Sequence, residues 1–152
     1  MPSKQFFFTL RILFFALLFG QTLFAAVAYF IYGLANGVEA SENDLLVYVS
    51  VLFSIMAIGA VYILKPKLVA TAATKRHLAE KLKAYTSASL VQWGIIEGAN
   101  ILNIILFMLT ANKITLVFFL ALILVYIPTR PDLRKIADEL RLSRDEAREL
   151  GL

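Results

Sequence analysis

Glu97 is the one acidic residue inside an apolar segment of this chain. It lies in the stretch TSASLVQWGIIEGANILNIILFML, residues 86–109, with Gln92, Asn100 and Asn103. At about 100° per residue, Ser89, Gln92, Trp93, Glu97, Asn100 and Asn103 share one side of a helix. Ile95, Ala99, Ile101 and Leu106 fall on the other side. A carboxyl near the middle of a membrane-length segment is a candidate proton or cation site, because such a group is costly to keep there. The amides of Gln92, Asn100 and Asn103, with Gln21 from an earlier apolar segment, would supply its hydrogen bonds. The nearest cations in sequence, Lys83 and Lys113, stand at the two ends of the stretch. Without a cation at its depth, Glu97 is expected to hold its proton at neutral pH and to face the bundle interior. It would then donate to Asn100, to a backbone carbonyl or to Gln21. The plain alternative is a hydrogen bond that only fixes helix packing.

Other chemistries find no residues. The chain has no cysteine, which excludes disulfides, thiol catalysis and thiolate metal sites. Its single histidine, His77, has no further ligand at metal-binding spacing. No Ser–His or paired-carboxylate arrangement lies in the apolar segments, so Glu97 lacks an acid or base partner. No catalytic residue, cofactor or metal is expected, and the chain is not read as an enzyme. The net charge of +4 sits at the ends of the apolar segments. It reads as topology information rather than a nucleic-acid footprint.

The elements that must position these residues are membrane spans. Hydrophobic residues make up 60% of the chain and charged ones 17%, against about 25% charged in soluble domains. Four spans are predicted, at residues 6–33, 45–64, 86–109 and 112–130. The first is Phe-rich, carries Gln21 and Thr22 at depth, and has Arg11 placed to reach the headgroups. It is too long for a signal-peptide core and is read as retained. An acidic loop at 34–44 follows, with a turn at Asn36-Gly37 and capping residues Ser41, Asn43 and Asp44. Pro66 is expected to end span two. Residues 65–85 carry Lys65, Lys67, Lys75, Arg76, Lys81 and Lys83 against Glu80 alone. They read as a helical connector whose Leu68, Ala72, Ala79 and Leu82 lie on the membrane, with anionic-lipid binding as the sharper alternative. Span four has a short apolar run, 114–127, helped by Lys113 and Arg130. The tail, 128–152, should form two short helices. The first starts near Pro131; the second opens with the capping box Ser143–Glu146. It packs on the cytoplasmic face or docks a partner.

Positive-inside reasoning puts both termini and the 65–85 connector in the cytoplasm. The hairpins also look related: Val61-Tyr-Ile-Leu-Lys-Pro-Lys-Leu68 matches Val125-Tyr-Ile-Pro-Thr-Arg-Pro-Asp-Leu133 with one extra residue. That alignment sets Gln21 opposite Glu97. The sequence therefore reads as an all-α membrane protein. Four transmembrane helices form two related hairpins over residues 1–127, and a cytoplasmic helical tail follows at 128–152.

Gly94-Ile-Ile-Glu97-Gly98-Ala99 is a carboxylate flanked by small residues within a span. With a duplicated hairpin, it resembles the rotary-ATPase proteolipids, subunit c of the F type and the four-helix subunit K of the vacuolar type. The resemblance implies that Glu97 binds a transported proton or sodium ion. This chain has only seven glycines, carries the Glu on the first helix of its hairpin, and has its predicted ends inside. What carries over is proton or cation binding at Glu97. The whole chain also looks like short four-helix proteins of bacterial inner membranes. The expected function is a small polytopic inner-membrane subunit or accessory of a larger assembly. The alternative is a proteolipid-like subunit that translocates protons or cations. Expected partners are membrane lipids, further copies or other membrane subunits, and a cytoplasmic partner on the tail.

Overall fold

The computed structural model describes residues 2–34 and 44–152, and these are helical with no strand among them. Helix α1 spans Pro2–Ala28 and widens into a π-helical end at Tyr29–Leu34. Helix α2 spans Asp44–Ala73, α3 Leu78–Thr110 and α4 Lys113–Tyr126. A 3-10 turn, Ile127–Thr129, precedes the short helices α5, Leu133–Glu139, and α6, Arg144–Leu150. Three helices are long and apolar enough to cross a membrane. The segment Lys113–Thr129 adds a fourth when joined to α5, which leaves it at 80°. The turn at Asn36-Gly37 and the caps Ser41 and Asn43 lie outside the described residues.

Helix α3 is the hub. Helices α1, α2 and α4 all pack against it, whereas α1 and α2 scarcely touch. Phe14 meets Trp93, Gln21 meets Asn100 and Tyr29 meets Phe107, a nearly constant sequence offset, so α1 and α3 run parallel. Ser50, near the start of α2, reaches Asn103, near the end of α3, so that pair is antiparallel. The α3–α4 connection is two residues long. Ala111 takes a left-handed conformation, φ 52°, and returns its N–H to the Phe107 carbonyl at 2.7 Å. The Asn112 side chain then accepts from the Ile114 N–H at 3.0 Å, capping α4.

Aromatic rings tie three helices together. Phe14 of α1 stacks on Tyr126 of α4, centroids 4.8 Å apart, and Trp93 of α3 meets Phe14 edge-on. The Tyr126 hydroxyl donates to the Phe14 carbonyl, and the Trp93 indole N–H donates to Thr129 Oγ1 at 3.0 Å. Outside this core the bundle shows Phe8, Phe15, Phe19, Phe30, Tyr62 and Leu124. Inside it buries Gln21, Ser50, Ser54, Gln92, Asn100 and Asn103. An apolar outside around a partly polar inside is compatible with membrane insertion and reverses the pattern of a water-soluble bundle.

Several expectations need correction. Pro66 does not end its helix; α2 runs through it to Ala73. A helix-interior proline costs about 3 kcal/mol. Here the helix is held on both sides of it by Val61, Val69 and Ala72, all in the main core cluster. The 65–85 connector is therefore the paired ends of α2 and α3, joined by a turn at residues 74–77. Ala72 and Leu82 point into that pair and are buried; Leu68 and Ala79 are exposed. Helix α3 starts two turns before residue 86. It also buries more than one stripe, because three helices surround it. Ala99 and Leu106, expected opposite the polar side, are buried too.

The tail is folded onto its own chain. Asp132 caps α5 by accepting from the Arg134 and Lys135 N–H groups, and Ser143 and Glu146 form the expected capping box on α6. Ile136, Leu140 and Leu150 are buried in one cluster with Val69, Leu82 and Tyr85. Two ion pairs hold the same end. Lys81 Nζ lies 2.8 Å from Glu146 Oε1, and Lys65 Nζ lies 3.4 Å from Glu139 Oε1.

Candidate functional site

The polar side chains of α3 do not form one cluster. Successive residues turn about 100°, so residues three apart diverge by about 60° and residues five apart by about 140°. Neighbouring helices divide them accordingly.

Asn100 points at α1. It is fully buried, and its Nδ2 donates to Gln21 Oε1 at 2.6 Å. Gln21 Nε2 and Asn100 Oδ1 are both buried with no partner among the described residues. Interchanging the two amides leaves the same count, one free donor and one free acceptor. Asn103 points at α2. Its Oδ1 accepts from the Ser50 hydroxyl, and its Nδ2 donates to Ser54 Oγ at 3.0 Å. Ser50 and Ser54 had not been singled out in the sequence. Their spacing of four in an apolar helix, which puts both on one face, was the available signal.

Glu97 sits on the flank of α3 beyond the α1 contact, half-buried. It makes no hydrogen bond or ion pair to any described residue. The expected bonds to Asn100 and Gln21 are absent, because α1 lies in the direction of Asn100 and Glu97 is rotated past it. Beside Glu97 on the same outer flank, Gly94 and Gly98 have no atom beyond their chain neighbours and the helix's own backbone within 4 Å of where a Cβ would stand. Gln92 faces away from Glu97, towards α2 and α4. It is 5% exposed, bonds no described residue, and lines a groove with Lys65, Thr129 and Lys135.

At the lysine-rich end, charge and burial act on three groups. The Lys81 ammonium, followed by the Ser143 N–H, holds the Glu146 carboxyl below the usual carboxylate range. Burial pulls the Lys65 ammonium below the usual lysine range, against the pull of Glu139. Burial, with Glu139 next to it, pushes the Tyr85 hydroxyl up. Among the described residues, no group of three His, Cys, Asp or Glu side chains comes together as a metal site would need.

No protein-family model, curated protein or solved structure matches this chain. The geometry itself presents two chemical features. The Gln21–Asn100 pair keeps one N–H and one carbonyl oxygen buried with no partner among the described residues. One helical turn away, Glu97 presents an unpartnered carboxyl at the rim of an open helix face.

Proposed function

We propose that this chain is a small polytopic inner-membrane protein, built as two related hairpins, that serves as a subunit or accessory of a larger membrane assembly. The α1–α3 register brings Arg11 level with Leu90. Trp93 is bonded to Thr129, and Lys65 shares a groove with Gln92, so these residues stand near one level. From Leu90 to Thr110 the helix rises about 30 Å, the thickness of a hydrocarbon core. Asn100 is then at the midplane and Glu97 about one turn towards the lysine-rich end. The helix ends and tail beyond Leu90 form a basic cap, which positive-inside reasoning assigns to the cytoplasm.

The observation that carries the subunit reading is Glu97. A carboxyl at that depth, half open and unpartnered, is poorly served by lipid. The open Gly94 and Gly98 beside it let a second helix approach closely. A partner helix supplying a hydrogen bond to Glu97 would satisfy both. The test is the native mass of the protein extracted from its own membrane in mild detergent. It should exceed the monomer, and Gly94→Ile with Gly98→Ile should return it to the monomer with helicity unchanged. A wild-type protein that runs as a bare monomer defeats the reading.

Proton or cation translocation through Glu97 is the second reading, favoured by the unpaired Gln21 and Asn100 atoms one turn away. In sealed vesicles carrying a pH or sodium gradient, the assembly should dissipate it and the Glu97→Gln form should not. Equal leak from both forms removes this reading and leaves the first intact.

A further inference from the structure

The groove lined by Gln92 lies where α2 and α4 meet over α3 and has a volume of about 390 Å³. Its two ends differ. One wall is apolar and built from Tyr62, Leu124 and Val125; Tyr62 and Leu124 are strongly exposed. The other end carries Lys65, Lys135 and the Gln92 side chain. Gln92 is 95% buried by its 5% exposure, yet no described residue takes its amide. Thr129 is already used, since its hydroxyl donates to the Tyr126 carbonyl and accepts from Trp93. Lys135 Nζ donates to the Pro128 carbonyl at 3.1 Å, which anchors that ammonium at the groove mouth. Lys65 feels Lys135 as a repelling neighbour and has Glu139 as its one carboxylate. Two ammonium groups thus stand at the groove beside the Gln92 amide, and Glu139 pairs with Lys65. The end of the groove is electropositive, and the apolar wall runs away from it.

We propose that this groove binds one anionic phospholipid. Its phosphate sits between Lys65, Lys135 and the Gln92 amide, and an acyl chain lies along Tyr62, Leu124 and Val125. The inference rests on the membrane reading above, which puts Lys65, Gln92 and Thr129 at the headgroup level. An inorganic anion would satisfy the polar end and leave the wall uncovered. A zwitterionic lipid would cover the wall and leave the excess charge uncompensated. Only a lipid with a net negative headgroup matches both ends.

Trp93, the single tryptophan, donates to Thr129, which lines the groove, and so reports on the site. Bromine atoms on an acyl chain quench an indole only at short range. The protein is reconstituted in vesicles in which brominated phosphatidylglycerol or brominated phosphatidylcholine replaces part of the unbrominated phosphatidylcholine. Phosphatidylglycerol should quench Trp93 with about a fivefold preference over phosphatidylcholine, the value of one net charge near a membrane surface. Lys135→Gln, which keeps the Lys65–Glu139 pair, should bring the preference to unity, and Lys65→Gln with Lys135→Gln, which leaves Glu139 alone, should bring it to unity or below. Lys67→Gln with Lys75→Gln removes as much charge from exposed positions at the same end and should leave the preference unchanged. Equal quenching by the two lipids in the wild type overturns the site and leaves the membrane reading standing. So does an equal loss in the Lys67 and Lys75 control, which reduces the effect to general surface charge. Relief of the quenching by free inorganic phosphate overturns the lipid as the occupant. Absence of quenching by either lipid overturns the groove as a lipid site and, because Trp93 is buried in the bundle, leaves the membrane reading standing.

Discussion

Asn100 and Asn103 each tie α3 to a different neighbour, and both bonds lie where no water competes. Hydrogen bonds between helices in lipid are worth about 0.6–2 kcal/mol each. Truncating one partner leaves the other amide buried and alone, which costs more than removing both. Asn100→Leu should therefore destabilise the bundle by about 1–2 kcal/mol. Adding Gln21→Leu to it should cost less than the sum of the two single changes, since no unpaired amide remains. Unfolding in mixed detergent micelles measures the cycle; strict additivity would mean that the two side chains do not interact. Glu97→Gln should leave the same midpoint unmoved, because Glu97 bonds no described residue.

Helix α6 is held by few contacts, and its stability depends on a protonation state. The Glu146 carboxyl is depressed below its ordinary value, first by the Lys81 hydrogen bond and then by the Ser143 N–H. A depressed carboxyl stabilises the docked helix at pH values above its undocked pKa, about 4.3. That contribution is lost as pH falls below this value and through the docked pKa. The tail should thus stay docked at neutral pH and loosen on acidification. Cleavage at Arg144 or Arg148 needs a protease active in acid, so amide exchange of residues 144–150 is the better measure. Exchange that rises between neutral pH and about pH 5, once corrected for its intrinsic pH dependence, would contradict the assignment. Lys81→Met should shrink the acid-dependent step to the part carried by the Ser143 N–H and leave α6 looser at neutral pH.

For the molecule as a whole, positive charge gathers at one end, and this sets a testable orientation. Single cysteines at Ser3, Thr74, Asn43 and Ser143 can be treated with an impermeant thiol reagent in intact cells. Only the one at Asn43 should label, and labelling at Ser143 would overturn the orientation. The proposed relation between hairpins has a consequence in depth. The alignment sets Gln21 opposite Glu97; Gln21 is bonded instead to Asn100, about one helical turn away. The packing of the two hairpins differs, however: α3 and α4 are in close contact, whereas α3 lies between α1 and α2.

Local chemistry was enough to find the apolar helical segments, the α6 capping box and the set of polar residues inside those segments. Those features depend on neighbours a few residues apart, which any reader of the chain can see. Three things were decided only by tertiary contact. Pro66 lies within a continuous helix because core residues on both sides outweigh a local penalty. The tail is a packed cap because Ile136, Leu140 and Leu150 find partners on α2 and α3. Glu97 lies at the rim and Asn100 inside because α1 docks along one particular line of α3. A helical wheel gives the angles between side chains but not where the next helix will stand. That position is set by how Phe14, Trp93 and Tyr126 pack together, residues far apart in the sequence.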